Sequence, residues 1–144
     1  MNRVCVAVAF LSSVLFLAGG AEAQSAPPLT NLQISALRSE QAPQWQGVRP
    51  DALATPDGRN GGRWFEVKVR ATGYDDREAR ATFAGIRARV VSRTPVLDSW
   101  RNVVGFDYVF RVTTSRPLQN GRWAVTATSD IFPYRTFWDY LFVQ

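Results

Sequence analysis

The acid–base groups of this chain are carboxylates, and the densest set is Tyr74-Asp75-Asp76 with Glu78 close behind. Carboxyl groups held near each other raise one another's proton affinity, so one can serve as an acid and its neighbour as a base. Adjacent side chains of an extended strand point to opposite faces, however, and two aspartates after a glycine (Gly73) also suit a turn or a helix cap. The sequence contains no histidine, and its single cysteine is Cys5. That composition excludes Ser-His-Asp and Cys-His catalysis together with His-ligated zinc, copper and haem. Lys68, the tyrosines and a carboxylate-held Ca²⁺ or Mg²⁺ make up the remaining chemistry. The segment from Asp57 to Gly62 is not a calcium loop, because Arg59 and Gly61 stand where an EF-hand needs oxygen ligands. No catalytic residue, metal or cofactor is expected. A carboxylate-dependent envelope hydrolase using Asp75 and Asp76 is the third reading behind two binding functions.

Binding chemistry has two sets of candidates. Lys68, Arg70, Arg87, Arg89 and Arg111 fall on the outward parity of alternating segments, and if their strands share a sheet their charges share a face. Like charges across a sheet repel unless acids intervene, and Glu66 and Asp107 lie on the same parity. The face is therefore expected to be either internally compensated or anion-binding. The aromatic set comprises Trp45, Trp64, Trp100, Trp123 and Trp138, with Tyr134, Phe137, Tyr140 and Phe142 crowded near the C-terminus. Aromatics fill cores and also carry much of the energy of interfaces. Trp64 shares the charged parity of its strand and is expected to be exposed. Trp138 and Tyr140 belong to a strand whose two parities are both apolar, so that strand is covered on both faces or joins a partner.

The compartment follows from the first residues. Met1-Asn2-Arg3 precedes an apolar run from Val4 to Leu17 and the small-x-small triplet Ala21-Glu22-Ala23. A positive start, an apolar run and an Ala-x-Ala site compose a secretory signal peptide, here residues 1–23 with cleavage before Gln24. The apolar run is shorter than the roughly 20 residues of a membrane span. After cleavage the chain is expected to be periplasmic or secreted, to lack a membrane-spanning helix and to contain no cysteine. The full sequence carries a net charge of +5, and cleavage removes one arginine and one glutamate, leaving it unchanged. A basic surface attracts anionic lipids or nucleic acid, and arginine suits bidentate phosphate recognition. A nucleotide bias favouring arginine codons explains the same excess.

These residues need strands to position them. Gln24 to Thr30 reads as an extended leader, and Asn31 to Leu37 as a short strand with Leu32, Ile34 and Ala36 on one side. Residues 39–62, rich in proline and glycine, read as a loop. Trp64 to Ala71 is the clearest strand, with Phe65, Val67, Val69 and Ala71 facing inward. A short helix capped by Asp76 over 76–84, then alternation from Ile86 to Val90, are expected next. Thr94 to Asn102 reads as a loop carrying Trp100. A strand with Phe106, Tyr108, Phe110 and Val112 on one face follows, then a turn at Pro117 to Gly121, a strand from Trp123 and a final strand from Thr136. Short strands between turn signals point to an all-β antiparallel sandwich, Ig-like, or a small barrel. The alternative is α+β. Residues 24–62 form the leader, first strand and loop, and 63–144 the main part, of one domain covering 24–144.

The reading that follows is a non-catalytic, exported cell-envelope protein acting as a protein-binding or assembly module, with an envelope protein or a second copy as partner. A periplasmic carrier or sensor of an anionic or amphipathic lipid, held in an aromatic-lined cavity with arginine at its rim, is the second reading. Nucleic acid is not an expected partner. Two further architectures fit poorly. An outer-membrane barrel needs at least eight strands of about 9–11 residues. The leader also lacks the alternation of a donated pilus strand.

Overall fold

The computed structural model describes residues 26–55, 59–75 and 79–144. The signal peptide assigned to residues 1–23 lies outside them, as do Asp57, Asp76 and Glu78. Among the described residues there are nine strands: β1 (Asn31–Ser39), β2 (Gln46–Gly47), β3 (Gly62–Thr72), β4 (Arg80–Phe83), β5 (Ile86–Arg87), β6 (Arg89–Leu97), β7 (Val103–Leu118), β8 (Gly121–Thr128) and β9 (Thr136–Val143). All strand pairs are antiparallel. They form a five-stranded sheet in the order β2-β1-β3-β7-β6 and a four-stranded sheet in the order β5-β4-β8-β9. The two pack face to face as a sandwich, with no closed barrel.

Period-2 alternation sets the core. Phe65, Val67, Val69 and Ala71 of β3 and Phe106, Tyr108, Phe110 and Val112 of β7 are buried from the first sheet, as their parity predicts. Ala81 and Phe83 of β4, Trp123, Val125 and Ala127 of β8, and Leu141 and Val143 of β9 meet them from the second. Phe83 stands between Phe65 and Trp123, with ring centroids 4.3 Å and 5.1 Å away. These rings supply the largest apolar areas removed from water.

Four local departures matter for the faces. The register of β1 shifts between Ile34 and Ala36, so Leu37 rather than Ala36 joins Leu32 and Ile34 inside. The bulge also turns the Ile34 N–H toward β9, where Asp139 Oδ2 accepts it at 2.6 Å. No helix occupies the described part of 76–84: Arg80–Phe83 is β4, which reaches β5 through a two-residue turn at Ala84 and Gly85. Both turn residues have positive φ, 49° and 80°, as a type I′ hairpin requires. The alternating segment from Ile86 to Val90 is split at Ala88, its first part in the second sheet and its last in the first. The stretch read as a loop from Thr94 continues β6 as far as Leu97. Pro95 is tolerated there because β6 is an edge strand, where a missing N–H costs no ladder bond.

Candidate functional site

The outer face of the first sheet gathers Lys68, Arg70 and Arg111, with Arg89 directly opposite Arg111. Arg87 does not join them, because it lies on β5 of the other sheet. Glu66 is only 2% exposed although it is on the outward parity. Arg38 closes over it at 2.6 Å and Arg111 at 3.2 Å. Trp64 is half-buried rather than exposed, because the guanidinium carbons of Arg111 and Arg38 lie 5.0 Å and 5.8 Å from its ring centroid. Trp45 lies between Arg38, at 4.5 Å, and Lys68, at 4.3 Å. Arg70 completes a two-pronged pair with Asp107, both contacts being 2.8 Å. The cations of this face are largely spent on acids and rings of the same chain. Arg38 and Trp45 were not legible as members of the set, since β1 and the loop after it enter the face only through pairing with β3.

The cluster proposed for catalysis resolves differently. The Asp75 side chain is fully buried and is held from two sides. Tyr108 donates its phenolic hydrogen to Asp75 Oδ2, and Arg93 Nη2 approaches Oδ1 at 3.2 Å. Arg93 Nε also donates to the Tyr108 oxygen at 2.8 Å, while the guanidinium lies 3.4 Å from the Phe106 ring centroid. A carboxylate so enclosed has no side open to a substrate. It ties edge strand β6 to the end of β3. Among the described residues no group of three or more acids, histidines or cysteines could hold a metal.

Burial, followed by donation to Asp75, raises the Tyr108 pKa well above the ordinary phenol value of 10.0. The unfolded chain therefore releases this proton at lower pH than the folded one. Stability from Tyr108 is fully present below about pH 10 and falls as pH rises above it. We expect Tyr108→Phe to cost about 1–3 kcal/mol near neutrality, by leaving Asp75 one donor short, and to flatten the loss of stability between pH 9 and 11. Urea unfolding of both proteins across that range measures the difference.

The outer face of the second sheet carries the other candidates. Phe137, Leu141 and Val143 point toward the core, while Trp138, Tyr140 and Phe142 are 61%, 39% and 48% exposed. β9 is thus covered on one face and open on the other. The register arranges this open face in rows. Trp138 lies opposite Thr126, which lies opposite Arg80. Tyr140 lies opposite Ala124, then Thr82, then Arg87. Phe142 lies opposite Arg122, whose guanidinium carbon is 5.2 Å from the Tyr140 ring centroid. Each of the three rows therefore runs between an arginine and a β9 aromatic. No ion pair is formed by Arg80, Arg87 or Arg122 among the described residues. Of this set the sequence indicated Trp138, Tyr140, Phe142 and Arg87. Arg80 and Arg122 carry the same outward parity, but only strand pairing places them beside the aromatics.

A space of about 500 Å³ near Leu37 is lined by Val48, Ala52, Ala54 and Thr55 with Arg49, so its walls are aliphatic rather than aromatic. No helix of the described residues is long and apolar enough to cross a membrane. Neither a curated protein nor a solved structure matches the chain. Its sequence does match a family over residues 22–143, and the chain belongs to that family, described as Domain of unknown function (DUF4879).

Proposed function

We propose that this protein is an exported, non-catalytic binding module that attaches to another component of the cell envelope through the outer face of its second sheet. The observation that carries the reading is the difference between the two faces. On the first sheet Glu66 and Asp107 neutralise arginines and the tryptophans lie under cations. On the second, three arginines form no ion pair among the described residues and three aromatic rings stand in solvent. Trp, Tyr and Arg are the residue types that dominate binding energy when a surface is covered. An exposed apolar group without a ligand gains nothing for the free domain, so its placement fits a surface that is covered in use. Export rests on the charged start, apolar run and Ala-x-Ala site of residues 1–23.

A photo-crosslinking residue at position 140 is expected to capture an envelope component in living cells, whereas one at Thr113, exposed on the first sheet, is not. Equal capture at both positions, or capture at 113 alone, rejects the assignment of the face. Amino-terminal sequencing of the recovered protein should begin at Gln24. A protein retained in the cytoplasm with its leader intact rejects export.

A further inference from the structure

We propose that the outer face of the second sheet docks on the phosphate-bearing surface of a lipid bilayer. This rests on the reading of that face as the working surface and adds the identity of what it meets.

The argument starts from the register. Alternate residues of a strand are about 7 Å apart and neighbouring strands about 5 Å apart. Trp138, Tyr140 and Phe142 therefore form a line along β9, and Arg80 stands about 10 Å away on β4. On the intervening strand β8 the outward residues are the small Ala124 and Thr126, with Arg122 nearest Phe142. No acid occurs among the outward residues of β4, β5, β8 and β9. Across these four strands the described face presents one sign of charge, and its complement is an anionic surface.

The aromatics narrow the choice. Their rings stand out from a sheet instead of lining a recess, whereas the anchors of protein interfaces sit in closely packed pockets ringed by residues that exclude water. Indole and phenol rings favour the headgroup level of a bilayer, where an apolar body and a polar tip are both accommodated. Guanidinium groups beside them reach lipid phosphates, which they bind in two-pronged fashion. Further exposed apolar side chains adjoin β9. At one end the Leu53 carbonyl accepts the Phe142 N–H and its side chain is 72% exposed. At the other, Phe132 and Tyr134 are 77% and 63% exposed in the turn before the strand. A bilayer surface adapts to a ridge of this kind without a preformed partner shape. The net charge of +5 adds long-range attraction of the same sign.

The test is flotation of the purified protein with vesicles of phosphatidylglycerol and phosphatidylethanolamine, against vesicles of phosphatidylcholine alone. Binding is expected to the first and not the second, and to weaken as salt is raised from 0.05 to 0.5 M. Each arginine near an anionic surface is worth about a fivefold change in partitioning, so Arg80→Gln, Arg87→Gln and Arg122→Gln together should weaken binding by roughly 100-fold. Trp138→Ala with Phe142→Ala should abolish flotation. All five side chains are exposed, and circular dichroism and Tm are expected to stay close to those of the parent. Equal flotation with neutral and anionic vesicles overturns the proposal. So does absence of flotation, and the crosslinker at position 140 then separates two cases. Capture of a protein leaves the face as a binding surface with a different occupant, and capture of nothing removes both readings.

Discussion

Arg93→Met is expected to lower stability by about 3 kcal/mol, near the low end for a broken buried pair, because the Arg93 side chain is itself 38% exposed while that of Asp75 is fully buried. The loss arises less from the missing attraction than from the carboxylate left behind. Asp75 would keep the Tyr108 hydroxyl as a donor but no cation, in a site closed to water. For a domain of this size the change corresponds to a fall in Tm of roughly 10 °C. A double-mutant cycle isolates the cause. Asp75→Asn removes the charge, so adding it to Arg93→Met should recover part of the loss rather than deepen it. Additive losses in thermal unfolding would mean that Arg93 acts by covering Phe106 and not by neutralising Asp75.

Gly73→Ala is expected to be at least as costly, and Gly85→Ala clearly less so, although both glycines have positive φ, 97° and 80°. The difference lies in what a methyl group would meet. At Gly73 it would sit 2.1 Å from the Pro28 carbonyl oxygen and 2.7 Å from the Leu29 Cα, all backbone. At Gly85 nothing lies within 4 Å. The positive φ alone costs an alanine about 1–2 kcal/mol. At position 73 the Pro27–Leu29 segment must also move away from the end of β3. That breaks the bond from the Tyr74 N–H to the Pro27 carbonyl and uncovers Leu29, which is 3% exposed. Exposing a leucine adds about 2 kcal/mol, for a total of about 3–4. Hydrogen exchange should show early loss of protection at Tyr74 and Thr30 in Gly73→Ala only. Equal destabilisation of the two variants would contradict the crowding at Gly73.

Much of the architecture is legible in the chain because burial on a strand has a period of two. Phe65 through Ala71 and Phe106 through Val112 could be assigned to the core from alternation alone, and the absence of histidine from the sequence removed whole classes of catalysis. The Glu66 and Asp107 pairings were foreseeable from parity. Parity alone puts Arg87 in the arginine row of the first sheet, where it does not belong. Arg87 and Arg89 have the same parity and are two residues apart, yet the chain passes from one sheet to the other at Ala88, which a periodic pattern does not register. From the sequence, Asp75 suits an acid–base pair with Asp76, or a turn or helix cap. Its partners Arg93 and Tyr108 come from β6 and β7, and only their arrival makes a buried carboxylate tolerable.

By itself the sequence determined an all-β chain, the side of most strands that faces the core, and the chemistry the protein lacks, since these depend on residue type and on alternation within one segment. The tertiary structure decided which charges are neutralised. Strand order and register bring Arg38 and Arg111 onto Glu66, and they leave Arg80, Arg87 and Arg122 in rows with Trp138, Tyr140 and Phe142. Pairing between distant segments has no periodic signature, because a strand's alternation fixes which way its side chains point and not which strand will lie beside it.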